Sequence, residues 1–158
     1  MKLSSAYSGA WIAVLAAATD RVSKVLAERM DPAQVISLIP GVIRLRRTAN
    51  TGMAFSMFSG QTLMLALVSA LLVAGLITWM IVRPNLSQLL RTGLWLVVGG
   101  GLGNLWDRIV YGAVIDFIEP TFVRFAVFNL ADVFICVGAG LAALAMILEE
   151  NKKEPGHE

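Results

Sequence analysis

Residues 99–132 place Asp107, Asp116, Asp132, Asn104, Asn129 and Arg108 in or beside hydrophobic segments. Polar groups at membrane depth cost several kcal/mol unless paired, so a cluster of them points to a functional site. Asp116 and Asp132 are the pair with a chemistry of their own. Two carboxylates in a poorly hydrated pocket cannot both ionise at neutral pH, and they share roughly one proton. The ionised partner can take a proton from water while the protonated one donates to a peptide carbonyl. That is metal-free acid–base hydrolysis of an amide. Asp132 falls in an early helical turn, where the helix dipole favours its anion, which leaves Asp116 as the proton carrier. Spacing alone suits a small proton- or cation-coupled membrane carrier equally well. A purely structural polar cluster is a third reading.

Composition narrows the setting. The chain has 158 residues, 57% of them hydrophobic and 15% charged, with a mean hydropathy of +0.72. A soluble domain is nearer a quarter charged, so one integral membrane domain over 1–158 is expected. A net charge of +2 with scattered basic residues gives no nucleic-acid footprint. The lone cysteine, Cys136, excludes an intrachain disulfide and reads as an inert packed thiol. The single histidine, His157, lies in a polar tail, which argues against a histidine metal site or a serine–histidine triad. No metal and no cofactor are expected.

The elements that must position the two acids follow from hydropathy. Spans are expected at about 8–27, 61–82, 92–110 and 128–148, each near the roughly 20 residues that a bilayer crossing needs. The first carries Asp20 and Lys24 on one face, either as an interfacial ion pair with Lys24 snorkelling or as a brace facing the bundle interior. Ser23 and Lys24 point about 100° apart on a helix and cannot form a local serine–lysine dyad. Residues 29–60 are too polar to span and read as a small surface sheet, strand-like at 35–39 and 42–46. Asn50 and Gly52 there suit a turn with positive φ. The second span is uncharged, and Arg91 marks the far side of a short loop after it. The third has Gly99, Gly100, Gly101 and Gly103 at its middle, for close helix approach. A phosphate-binding loop is a poor alternative, since no strand precedes the glycines and no G-K-[ST] follows. Asn104, Asp107 and Arg108 share a face of that span. Tyr111–Gly112 ends it, and 114–117 reads as a short strand. Asn129 is a good N-cap for the fourth span, and shares a face with Asp132. The tail 149–158 reads as mobile. Asp116 and Asp132 then lie at similar depth near one membrane surface. Charge bias alone does not orient the chain.

Five blocks in this order carry a family likeness: DRVSK at 20–24, NTGMAFS at 50–56, GGLGNLWDR at 100–108, VIDFI at 114–118 and FNLAD at 128–132. With them the chain resembles the bacterial lipoprotein signal peptidases (signal peptidase II), intramembrane aspartic endopeptidases. Ser23 stands where the family commonly has Thr, and Val133 where it commonly has Ser. The resemblance implies an all-α membrane fold, a four transmembrane helix bundle with a small extracytoplasmic β-sheet cradle between the first two helices. It implies Asp116 and Asp132 as the catalytic dyad. Asn50, Gly52, Asn104, Arg108 and Asn129 are then substrate-binding or dyad-supporting, and Asp20, Lys24 and Asp107 structural support. The substrate would be a diacylated prolipoprotein, cut just before its lipidated cysteine. Termini would be cytoplasmic in the bacterial inner membrane, with the dyad near the periplasmic face. Membrane lipids and globomycin-type cyclic peptide inhibitors are further expected partners, and nothing demands more than a monomer.

Overall fold

A computed structural model describes residues 7–52 and 57–153. Its elements in chain order are α1 (Ala10–Glu28), β1 (Ile36–Ile39), β2 (Ile43–Asn50), α2 (Thr62–Val82), α3 (Gln88–Tyr111), β3 (Val114–Pro120) and α4 (Leu130–Lys153). The strands form one antiparallel sheet in the order β1-β2-β3.

Helix α3 is central, packing against α1, α2 and α4. Its glycines make that possible. A methyl group at Gly99 would come within 2.7 Å of the Ala13 carbonyl oxygen of α1, and one at Gly93 within 2.6 Å of the Gly138 carbonyl oxygen of α4. At Gly100 it would overlap the Ala131 carbonyl. Such close backbone approach is what small residues provide between helices in lipid. The apolar core, including Val73, Met80, Leu94, Trp95 and Val98, fills the end of the bundle away from the sheet.

Polarity is distributed inside out. Asp20, Lys24, Asn104, Asp107, Asp116 and Asn129 are buried, while Val14, Val22, Leu63, Leu67, Leu71 and Ile147 are exposed. A surface of that kind suits hydrocarbon rather than water. By length and composition, α2 and α4 can each cross a membrane.

Several boundaries differ from the sequence reading. Helix α3 starts at Gln88 because the Ser87 hydroxyl accepts the Leu90 N–H. Arg91 therefore sits inside the helix and is buried, not in the loop. Helix α4 runs on through 149–153, the first part of the expected mobile tail, since charged residues are good helix formers beyond the apolar stretch. Strand β2 continues to Asn50, past a register irregularity between Leu45 and Thr48. The bend after it is made by the Asn50 side chain accepting the Gly52 N–H at 2.9 Å. Residues 53–56 of the NTGMAFS block lie outside the described residues. The helix stop at Gly112 is as expected, with φ 69°.

Candidate active site

Asn129 precedes the first turn of α4 and organises the site. Its side-chain oxygen accepts the Asp132 N–H at 3.0 Å, and its own N–H donates to Asp132 Oδ2 at 3.1 Å. This reciprocal pair is a capping box, which satisfies two donors that a helix start leaves open. It also fixes the Asp132 carboxylate. The other Asp132 oxygen accepts from Asn104 Nδ2 of α3 at 2.8 Å.

Asp116 arrives from β3, opposite Thr48 of β2. Asn129 Nδ2 donates to its Oδ1 at 2.7 Å, and Asn50 Nδ2 donates to its Oδ2 at 2.9 Å. One asparagine thus touches both carboxylates. Burial lifts the Asp116 carboxyl to about 6; the Asn50 bond opposes this, and the Asp132 charge adds to it. Strand β3 is tied to the entry of α4 as well, with the Phe117 and Ile118 N–H groups donating to the Phe128 carbonyl at 3.0 and 2.8 Å.

Behind the pair lies a buried charge cluster. The Lys24 ammonium donates to Asn104 Oδ1 at 2.9 Å and forms ion pairs with Asp20 Oδ2 at 2.8 Å and Asp107 Oδ2 at 2.9 Å. Arg21 lies 3.7 Å from Asp107 Oδ1 and 3.4 Å from Glu28 Oε1, so two cations face three carboxylates. The cluster reaches both elements that carry the acids, β3 and α4. Asp107 Oδ2 accepts the N–H of Ile115, next to Asp116, and Asp20 Oδ1 accepts the N–H of Ala131, next to Asp132. Interfacial snorkelling of Lys24 is therefore excluded; its side chain has no exposed surface.

A cavity of about 450 Å³ opens over the two acids. Asn50, Asn104, Arg108, Asp116 and Asp132 line its polar side; Phe125, Val133, Ile135 and Val137 line the apolar one. Arg108 Nη2 donates to the Gly52 carbonyl at 3.1 Å. Among the described residues, no group of three or more Asp, Glu, His or Cys side chains is gathered to hold a metal.

The family profile described as Signal peptidase (SPase) II matches residues 12–148. The chain belongs to the signal peptidase II family. Similar curated relatives are each named lipoprotein signal peptidase. The one from Mesorhizobium japonicum is 46% identical over 137 residues, covering 84% of this chain and 80% of its own. The one from Thermosynechococcus vestitus is 39% identical over 132 residues, covering 81% and 84%. That from Brucella ovis is 38% identical and covers 99% and 100%. A bacterial membrane enzyme solved in meso at 2.3 Å has the same fold, with a TM-score of 0.86 over 96% of this chain and 94% of that one, at 24% identity. A second, solved at 1.9 Å, gives 0.78 at 26% identity, over 88% and 92%. As a member of a signal peptidase family, the chain is a peptidase, and hence a hydrolase.

Against the sequence reading of this signal peptidase II chain, Asn50, Asn104 and Asn129 converge on the two carboxylates. Gly52 contributes through its neighbours, its N–H going to Asn50 and its carbonyl to Arg108. Asp20, Lys24 and Asp107 stand behind the cavity and do not line it. Cys136 is a correction: it is exposed and lines the cavity, on the same stretch of α4 as Val133, Ile135 and Val137. Arg21 was missed. It joins Asp107 and also donates to the Tyr111 hydroxyl at 2.6 Å, with its guanidinium 5.1 Å from that ring's centroid. Its signal was its place in the DRVSK block between two residues already singled out.

Proposed function

We propose that this chain is an intramembrane aspartic endopeptidase that cleaves signal peptides from diacylglyceryl-modified prolipoproteins, just before the lipidated cysteine. Asp116 and Asp132 are its catalytic pair. The observation that carries this is Asn129 holding both carboxylates at the polar rim of a mostly apolar cavity. The names of the curated relatives support the substrate class.

In this mechanism a water molecule sits between the acids. Asp132, the ionised partner, takes a proton from the water as its oxygen bonds to the scissile carbonyl carbon. Asp116 gives its proton to the carbonyl oxygen. The tetrahedral species then collapses: the C–N bond breaks, Asp132 returns its proton to the leaving nitrogen, and Asp116 recovers one from a hydroxyl. Asn104, Asn129 and Asn50 position the carboxylates, while Arg108 holds the polar wall. The apolar wall along α4 takes the hydrocarbon-borne parts of the substrate, which enter from the bilayer side. All four helices cross the bacterial inner membrane in this reading, with both termini cytoplasmic and the sheet outside. The full chain acts as one domain and one copy, and globomycin-type cyclic peptides would occupy the same cavity.

The test is purified full-length protein in detergent with a diacylated precursor and a chelator. Wild type is expected to release the signal peptide. Asp116→Asn and Asp132→Asn are each expected to lower turnover by at least about a thousandfold, while the protein stays folded and binds precursor. Retained turnover in either variant, or a metal requirement, overturns the mechanism.

A further inference from the structure

Beside the cavity over the two acids lies a smaller one, of about 260 Å³, on the sheet side. Asn50, Asp116, Ala126 and Val127 line both, so the two spaces meet at the acid that β3 carries. Arg46, Thr48 and Ala49 of β2 complete the smaller one. The two differ in kind. The larger is mostly apolar and follows α4, whereas the smaller is lined about equally by polar and apolar surface.

Strand register accounts for the β2 wall. Thr48 is paired with Asp116, so the two project from one face of the sheet, and Asn50, two residues on, shares that face. Arg46 is fixed by Glu119 of β3, donating from Nε at 2.9 Å and from Nη2 at 3.2 Å. The other wall is the segment that leads into α4. Its Phe128 joins β3, with the N–H donating to the Ile118 carbonyl and the carbonyl accepting the Ile118 N–H. Ala126 and Val127 stay outside the sheet. Among the described residues, their N–H and carbonyl groups take part in no backbone hydrogen bond. Non-helical main chain left unpaired beside a cavity is a template for an extended peptide.

We propose that the smaller cavity holds the residues that directly follow the lipidated cysteine of the precursor, extended along Ala126 and Val127. Thr48 then determines specificity, by limiting the side chain accepted there. The proposal deepens the peptidase reading and rests on it. In that reading the signal peptide and the acyl chains stay in hydrocarbon, on the side of the apolar cavity. Only the chain after the cysteine leads out to water, and an extended main chain needs hydrogen-bond partners along that path. The cavity with polar walls on the sheet side of Asp116 is where such a chain can run.

The experiment compares a diacylated cysteine amide with the same cysteine extended by Ser-Ala-Gly. Binding of both to full-length protein in detergent is measured by calorimetry, and kcat/KM is measured for the two corresponding precursors. The extended ligand is expected to bind about tenfold tighter, and its precursor to be cleaved with about tenfold higher kcat/KM. Two further ligands each carry a single ester in place of one of two neighbouring amides after the cysteine, which removes a donor without altering the protein. Successive N–H groups of a strand point to opposite edges, so one ester is expected to cost about threefold and the other little. Thr48→Phe occupies the cavity and is expected to shrink the tenfold gap to about twofold or less, with melting temperature reporting its fold. Equal binding of the short and extended ligands to wild type overturns the proposal. So does a loss with neither ester, or an undiminished gap in folded Thr48→Phe. Tighter extended binding with neither precursor cleaved removes the peptidase reading and leaves this site standing. Cleavage of both precursors at equal kcat/KM, with equal binding, does the reverse.

Discussion

Asp116 is the residue whose proton the chemistry needs, and its surroundings set the pH at which it is held. Burial raises this carboxyl to about 6, so the free enzyme should lose kcat/KM on the alkaline side with an apparent pKa near that value. The Asn50 bond stabilises the anion, so Asn50→Ala should move the alkaline limb upward; a downward shift would contradict the assignment. Stability should follow the same group. A carboxyl raised from its ordinary value of 3.8 to about 6 binds its proton more tightly folded than unfolded. Between those values the protein should therefore become more stable as pH falls, and this slope should vanish in Asp116→Asn. Lys24 belongs at the same scale. Lys24→Met leaves Asp20 and Asp107 buried without their shared cation, which costs about 3–5 kcal/mol. Thermal unfolding in detergent is expected to show that loss, and activity should fall with it because the cluster anchors the backbone beside both acids.

At the scale of elements, α3 sets how near α4 can bring Asp132. A methyl group at Gly100 meets the Ala131 carbonyl, one residue from that acid. Gly100→Ala is expected to cost about 1–3 kcal/mol and to depress activity further than that loss alone explains. Gly140, on the same partner helix, has nothing within 4 Å of an added methyl group. Gly140→Ala should be neutral or stabilising by up to about 1 kcal/mol. Comparing the two variants by melting temperature and turnover separates packing from helix propensity. The same scale shows where sequence was legible. The capping role of Asn129 and the glycine stop at 112 are local, and both stand in the pattern. Strand β2 was cut short because a register irregularity between Leu45 and Thr48 breaks the alternation that identifies a strand. That hid the route by which Asn50 reaches Asp116. Arg91 looked like a loop residue because a charge at the end of an apolar run normally is one. Only the fold shows the Pro84 carbonyl that receives it.

The whole molecule couples a polar interior to an apolar exterior, and this is where hydropathy alone is least decisive. Helices α2 and α4 pass a length and composition test for crossing a membrane. Helix α1 carries Asp20, Arg21 and Lys24, and α3 carries glycines, Asn104, Asp107 and Arg108, so each is diluted as a hydrophobic segment. Their polar groups pair with one another across the bundle, which removes most of the penalty for placing them at depth. If all four helices cross, the sheet and the turn between α2 and α3 must lie on opposite faces. In a Cys136→Ala background, single cysteines at Thr121 and Asn85 provide the check. Thr121→Cys should react with a membrane-impermeant maleimide on intact spheroplasts, and Asn85→Cys only after the membrane is opened. Labelling of both from the same face would mean an even number of crossings between them. Spans α1 and α3 would then no longer run parallel from one membrane surface, and the carboxylate pair could not lie at the interface assigned to it.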